Sequence, residues 1–308
     1  MNVRIVAALA CSALLASCAS AGSNQEPVPV RASQAAMQPH WVRTSLGKFA
    51  DPYGVAVNPH CSSQCTVYVA DPGSKMVYKI TPDGTKSAIA TFDSNFDPLG
   101  VTVQSDGGSD RVYIADKGPN VGTRVWDVNV FGNSYVCCNG HNAYAGAYPL
   151  YNRGVAVFAP PTGGFALYAA QASHHPLTEK GRVECRIHFK TCAFAGTTFS
   201  DPYAVAVDGK GALYVADARD KKAYRVVGGN ATDLGKTFAD PYGIAASLDG
   251  GTVYVADAGD KNVWERTSDG SWSVVERFAD PYGVAVDAAG VLYVADPGSK
   301  EVWKLTRG

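Results

Sequence analysis

From about residue 41 to the C-terminus, apolar and small residues alternate with polar ones in short runs. Each run is rich in Val, Ala and Tyr and is broken by Asp, Gly or Pro. The final stretch is typical: Gly283–Val286, a turn over 287–290, Val291–Ala295, a turn over 296–299, then Glu301–Leu305. Runs of this length and composition predict strands of a meander and exclude helices. A further strand is predicted before each such unit, as at Ser271–Arg277 and Ser87–Phe92.

The unit recurs. FADPYGVAV at Phe49–Val57 returns at 199–207 (FSDPYAVAV), 238–246 (FADPYGIAA) and 278–286 (FADPYGVAV), with degenerate copies at 96–103 and 151–157. A second phrase follows each copy: VYVAD at 67–71, VYIAD at 112–116, LYAAQ at 167–171, LYVAD at 213–217, VYVAD at 253–257 and LYVAD at 292–296. A period near forty residues means one supersecondary unit, repeated because no copy can bury its apolar faces alone. Four strands per unit make a propeller blade.

The small residues Gly54, Gly100, Gly154, Ala204, Gly243 and Gly283 mark equivalent points, in steps of 46, 54, 50, 39 and 40 residues. Too little chain follows Gly283 for a complete blade. Trp41–Gly47, which resembles Trp272–Arg277, is predicted to supply the missing outer strand and so remove an open sheet edge. The predicted fold is all-β: a six-bladed β-propeller of four-stranded antiparallel blades over 41–308, the ring closed by an N-terminal strand.

The pattern P-x-G-(I/V)-A-V followed by LYVAD-x-G-x-x-x-V-x-(K/R) resembles the NHL repeat and covers nearly all of 41–308. The resemblance implies the propeller fold. It implies no single function, because NHL-type propellers include protein binders, RNA binders, sensor domains and a few enzymes.

Composition narrows the choice. Lys and Arg number 27 against 28 Asp and Glu, so no long-range positive field draws in nucleic acid. Residues 1–17 read as a signal peptide: Arg4 precedes an apolar stretch, Ile5–Ala16, too short to span a bilayer. Leu15-Ala16-Ser17-Cys18 resembles a bacterial lipobox, which implies cleavage before Cys18 and its acylation. With Ala19 next to the cysteine, the expected address is the outer membrane of a bacterial cell envelope, facing the periplasm or the surface. Residues 18–40 are small, polar and Pro-containing, as expected of a lipidated flexible tether.

Cys61, Cys65, Cys137, Cys138, Cys185 and Cys192 form an even set in an exported chain, which favours disulfides. Proximity favours Cys61–Cys65 and Cys185–Cys192, leaving Cys137 and Cys138 to pair with each other or to stay reduced.

The repeated aspartates read as turn formers. Asp51-Pro52-Tyr53-Gly54 matches a type I turn, and Gly73 and Gly298 are expected to take positive φ in the second hairpin. A calcium-binding ring of aspartates is the alternative. Tyr78, Trp126, Tyr224, Trp264 and Trp303 on the third strands are expected to fill the space between blades. The residue before the inner-strand Gly or Ala is Tyr53, Leu99, Arg153, Tyr203, Tyr242 or Tyr282. In a four-strand meander the turn entering strand one and the turn between strands two and three share a face. Tyr53, Tyr203, Tyr242, Tyr282 and Arg153 should therefore ring the channel mouth as an aromatic floor for a peptide or sugar.

The repeat breaks in the third blade, where Gln171 replaces Asp and two insertions, 139–153 and 171–182, flank the blade. They carry Tyr144 and Tyr148, further candidate ligand contacts, and His141, His174 and His175, a candidate zinc site. Two functions follow. One is a non-catalytic binding module with no cofactor, tethered to the membrane by its lipid, whose channel-mouth face engages an envelope protein, peptide or glycan. The other is a metal-dependent lyase or hydrolase using His141, His174 and His175. Peptidyl-hydroxyglycine lyases and gluconolactonase-like propellers resemble the fold, but their metal ligands are drawn from around the channel, and that set is not matched here.

Overall fold

The computed structural model describes residues 40–308 except 93, 95–96, 106–109, 117–123, 130–133, 140–150, 161–163, 173–179, 188–189 and 192–198. Within Pro39–Gly308, one compact unit, the described strands pair antiparallel into six four-stranded sheets. Sheet one is Gly54–Val57, Val67–Asp71, Met76–Ile80 and Lys86–Thr91. Sheet two is Pro98–Ser105, Asp110–Asp116, Arg124–Asn129 and Ser134–Asn139. Sheet three is Tyr151–Phe158, Ala166–Ala172, Arg182–Ile187 and Lys190–Thr191. Sheet four is Pro202–Val207, Leu213–Asp217, Lys222–Val227 and Asn230–Asp233. Sheet five is Pro241–Ala246, Val253–Asp257, Asn262–Arg266 and Trp272–Arg277. Sheet six is Gly283–Val286, Leu292–Asp296 and Glu301–Arg307, with Trp41–Lys48 as its fourth strand, Trp41 opposite Arg307.

The first strands of the sheets touch one another in the order one to six and back to one. Small residues make this possible. A Cβ built on Gly54 would lie 2.3 Å from the Leu99 carbonyl oxygen, one on Gly243 2.1 Å from that of Tyr282, and one on Gly283 2.6 Å from that of Tyr53. The glycine that serves as a ruler in the sequence is thus the point where neighbouring backbones come closest around the channel. This architecture is a β-propeller with four-stranded antiparallel blades.

The core lies between sheets, as a repeat unit that cannot bury itself requires. Tyr254 and Ala256 of sheet five pack with Val284, Val286 and Leu292 of sheet six. Tyr293 and Ala295 of sheet six pack with Val55 and Val69 of sheet one, and Tyr68 and Ala70 of sheet one with Val101 and Ile114 of sheet two. The large buried side chains between sheets are therefore second-strand tyrosines. Tyr68, Tyr214, Tyr254 and Tyr293 each send the hydroxyl to a carboxylate, of Asp110, Asp208, Glu265 and Asp287 respectively. The third-strand aromatics expected in that role are half-buried and flank the core. Tyr78 meets Phe49 edge-on at 5.6 Å and Tyr224 meets Phe199 at 5.8 Å, while Trp264 donates to Asp260. The Trp126 side chain lies outside the described residues.

Two turn expectations are corrected. Gly73 and Gly298 do not have positive φ; Lys75 and Lys300 do, at 58° each, as do Lys221 and Lys261 at the same repeat position. Gly73 is small for another reason: its Cβ would meet the Asp51 Cβ at 2.7 Å and the Ala50 Cβ at 2.9 Å. Asp51-Pro52-Tyr53-Gly54 is not closed by its own backbone hydrogen bond either. The Tyr53 amide donates to the Ala70 carbonyl, and the amides of Ala50 and Asp51 donate to the buried Asp71 carboxylate.

Cys61 and Cys65 form a disulfide. Cys185 is disulfide-bonded too, whereas Cys192 and the side chains of Cys137 and Cys138 lie outside the description. The signal peptide, the tether and Cys18 lie outside them as well.

Candidate functional site

The aspartate ending each second strand builds the face on which the candidate site sits. Asp71, Asp116, Asp217, Asp257 and Asp296 are buried, at most 1% exposed. Asp217 accepts from the Ser200 and Asp201 amides, Asp257 from Ala239 and Asp240, and Asp296 from Ala279 and Asp280. Each carboxylate thus ties the hairpin between strands two and three to the segment entering strand one. These aspartates satisfy backbone donors. In sheet three the same position holds Gln171, which donates to Asn152 and accepts from Arg182.

The clamp fixes the residue at the channel rim. Tyr53, Leu99, Arg153, Tyr203, Tyr242 and Tyr282 converge on one end of the channel. The tyrosines pack against one another and do not stand apart as an open floor: Tyr203 stacks on Tyr242 at 4.1 Å, while Tyr242 meets Tyr282 at 4.8 Å and Tyr282 meets Tyr53 at 4.5 Å with the rings tilted. Tyr53 and Tyr203, from sheets one and four on opposite sides of the ring, join hydroxyl to hydroxyl. The cavity left beneath is about 70 Å³, room for a few waters and not for a sugar ring. The opposite end opens through Val57, Val103, Val157, Val207, Ala246 and Val286 onto a cavity of about 110 Å³.

Arg153 stands where other sheets place an aromatic or leucine residue. Its guanidinium lies 4.3 Å from the Tyr203 ring centre and donates through one nitrogen to both carboxylate oxygens of Asp201, at 3.1 Å each. A cation over an aromatic face beside a carboxylate combines two attractions in one partly buried place.

Burial dominates the titration behaviour. It pushes the Tyr53, Tyr203 and Tyr282 hydroxyls up, and Tyr242 up to about 12 with help from Tyr203 and Asp240. The plug is therefore neutral and donating throughout the physiological range. Burial likewise raises Asp51, with Asp71 and Asp97 adding to it and Lys300 opposing. For Asp280, burial is again the largest cause, followed by Asp296. Asp217 and Asp257 are raised by burial against the amides they accept.

These raised carboxyls bind protons more tightly folded than unfolded, so folding takes up protons and stability grows as pH falls from neutrality towards the ordinary aspartate value of 3.8. Asp83, Asp249 and Asp269 are lowered by hydroxyl hydrogen bonds in exposed turns; their contribution is lost only as pH falls below that value. The melting temperature should therefore rise as pH is lowered from neutrality towards that value. The Asp51→Asn/Asp280→Asn variant should show a flatter slope, and a slope identical to the parent's would refute the assignment.

Of the residues expected at the site, Tyr53, Arg153, Tyr203, Tyr242 and Tyr282 are brought together. Tyr144, Tyr148, His141, His174 and His175 lie outside the described residues. Among the described residues no group of three or more His, Cys, Asp or Glu is placed to hold a metal ion. Sequence reasoning passed over the aspartates preceding the rim prolines, Asp51, Asp97, Asp201, Asp240 and Asp280. The recurring Asp-Pro-Tyr spelling could have shown that each accompanies a rim residue.

No family model matches the chain, and no curated protein matches it. Solved structures do. A gluconolactonase from Xanthomonas campestris shares 15% identity, covering 86% of this chain and 89% of its own, with a TM-score of 0.64. A virginiamycin B lyase from Staphylococcus aureus shares 15% identity over 87% and 99%, with a TM-score of 0.58. A chain of the nidogen–laminin complex shares 16% over 77% and 85%, again at 0.58. Likeness at this identity establishes the propeller fold alone, and two enzymes beside a chain of a protein complex illustrate how little a fold says about function.

Proposed function

We propose that this chain is a lipid-anchored, non-catalytic binding module of the bacterial cell envelope, an NHL-type six-bladed ring closed by its N-terminal strand. Its channel-mouth face engages a segment of an envelope protein. The observation that carries the reading is the crowded mouth. Four tyrosines in contact leave a cavity of only about 70 Å³, so a ligand meets a surface and not a deep tunnel. Tyrosine and arginine on a rigid frame are the residue types that dominate binding energy at such surfaces. The lipobox-like Leu15–Cys18 and the polar stretch after it support the anchor and the address.

The reading is tested by capture of the partner from an envelope extract. Tyr242→Ala should lose the captured species at temperatures where the chain remains folded; undiminished capture in the folded variant would overturn the reading. Two of the structural neighbours are enzymes, which keeps a metal-dependent lyase or hydrolase built on His141, His174 and His175 as the second reading. Stoichiometric zinc in the purified chain, lost in a His174→Ala/His175→Ala variant, would favour that reading instead.

A further inference from the structure

The rim aspartates are chemically alike in sequence and unlike in the folded ring. Asp97 is paired with Lys75, and Asp201 with Arg153. No described cation comes within ion-pair distance of Asp240, Asp280 or Asp51, the three that follow one another through sheets five, six and one. Lys300 and Lys261 offset Asp51 and Asp280 only from beyond that distance. Asp51 and Asp280 lie within electrostatic reach of each other, and the three carboxylates lie close to Tyr242 and Tyr282: Asp280 is raised by Asp51, Tyr242 by Asp240 and Asp280, and Tyr282 by Asp280 and Asp51. Among the described residues the mouth therefore has an ion-paired half and a half without ion pairs.

The neutralised half shows what this chemistry holds. In sheet four the Asp-Pro-Tyr unit takes a guanidinium, with Asp201 on its nitrogen and Tyr203 beneath it. Sheets five, six and one repeat the unit, as Asp240-Pro241-Tyr242, Asp280-Pro281-Tyr282 and Asp51-Pro52-Tyr53. In these the preceding rim residue is a tyrosine, so the ring is covered but no described cation pairs with the carboxylate. The carboxylate that holds Arg153 in sheet four is thus repeated three times with no described ion-pair partner.

We propose that the arc Asp240–Asp280–Asp51, with Tyr242, Tyr282 and Tyr53, binds arginine or lysine side chains of a partner polypeptide. The inference rests on the channel-mouth reading and assigns it a ligand class. A basic segment laid across the arc exchanges its counterions for carboxylates and sets its methylenes against tyrosine, so recognition combines charge with apolar contact. It commits the face to a basic peptide, not to an acidic one or to a neutral glycan.

The test is a fluorescence titration of the full chain with an oligo-arginine peptide, and with an oligo-glutamate peptide of equal length. The arginine peptide should bind and the glutamate peptide should not, and binding should weaken on raising ionic strength to about 0.15 M. Asp240→Asn/Asp280→Asn should raise the dissociation constant about tenfold or more, the loss of roughly one charge-assisted contact. Asp83→Asn/Asp269→Asn removes the same charge from the turns between third and fourth strands, on the opposite face, and should leave affinity unchanged. Equal weakening by both double variants means attraction by overall charge and overturns the proposal, as does failure of the arginine peptide to bind. If the arginine peptide fails while capture of the natural partner still depends on Tyr242, the ligand class is wrong and the face is right. If capture is also indifferent to Tyr242, the face itself is wrong.

Discussion

Replacement of Gly243 by alanine is expected to lower the unfolding free energy by about 3 kcal/mol, and replacement by valine to prevent folding. The added Cβ would stand 2.1 Å from the Tyr282 carbonyl oxygen and 3.1 Å from the Ala256 Cβ. The first obstacle is backbone held in a neighbouring sheet, so relief requires two sheets to part. Separation at one point strains every other junction of the ring, because the first strands touch in a closed order. Two comparisons isolate the cause. Ala204→Gly, at the one equivalent position that carries a Cβ, should cost no more than about 1 kcal/mol from chain entropy. Gly84→Ala, in a turn at φ +85° with nothing within 4 Å of the added atom, should cost a similar small amount for its backbone alone. Urea unfolding followed by tryptophan fluorescence gives all three values. A loss below about 1 kcal/mol for Gly243→Ala would show that close approach does not set the channel's width.

The second large effect is expected at Asp257. Its carboxylate is fully buried and accepts from the Ala239 amide at 2.7 Å and the Asp240 amide at 2.6 Å. Asp257→Ala leaves two donors without a partner in a place water does not reach, at a cost of about 3 kcal/mol. Asp257→Asn keeps one acceptor and turns an N–H towards an amide, so it should fall between the parent and the alanine variant. A second consequence distinguishes this site from an ordinary core position. The clamped segment runs directly into Pro241 and Tyr242, so loosening it moves a rim tyrosine. Asp257→Ala should therefore weaken partner capture even at temperatures where the chain remains folded. Undiminished capture in the folded variant would mean that the clamp holds the fold and does not position the mouth.

The burial of these aspartates carries an electrostatic penalty, visible in the raised values of Asp217 and Asp257. A carboxylate has two oxygens with several lone pairs, enough to take two adjacent amides at once, which no neutral side chain of the same size does. That capacity explains why aspartate stands at the end of five second strands. Sheet three, with Gln171, needs Asn152 and Arg182 to complete a different network.

Much of the architecture could be read from spacing. The strand alternation, the forty-residue period and the small residues marking each first strand are local properties, and local periodicity survives into the folded chain as pleat and repeat. The Cys61–Cys65 bridge was likewise legible, because the partners stand four positions apart in sequence. The role of each repeated residue was less so. Gly73 reads equally well as a positive-φ turn residue and as a site of close approach; only the packing of Ala50 and Asp51 against it shows the second. The third-strand aromatics look like core by size, yet the space between sheets belongs to the second-strand tyrosines, whose hydroxyls find carboxylates of their own sheet or, for Tyr68, of the next one.

What the amino-acid order determined by itself was the unit, its repetition and the face on which Tyr53, Arg153, Tyr203, Tyr242 and Tyr282 gather. Tertiary structure alone decided that the tyrosines crowd the channel mouth against one another, and that among the described residues two rim aspartates are ion-paired while three are not. The physical reason is that both depend on distances across sheet junctions, between residues up to 150 positions apart. A repeat makes such residues look identical in sequence. The one arginine at residue 153 breaks the equivalence, and only the folded ring shows which carboxylate it reaches.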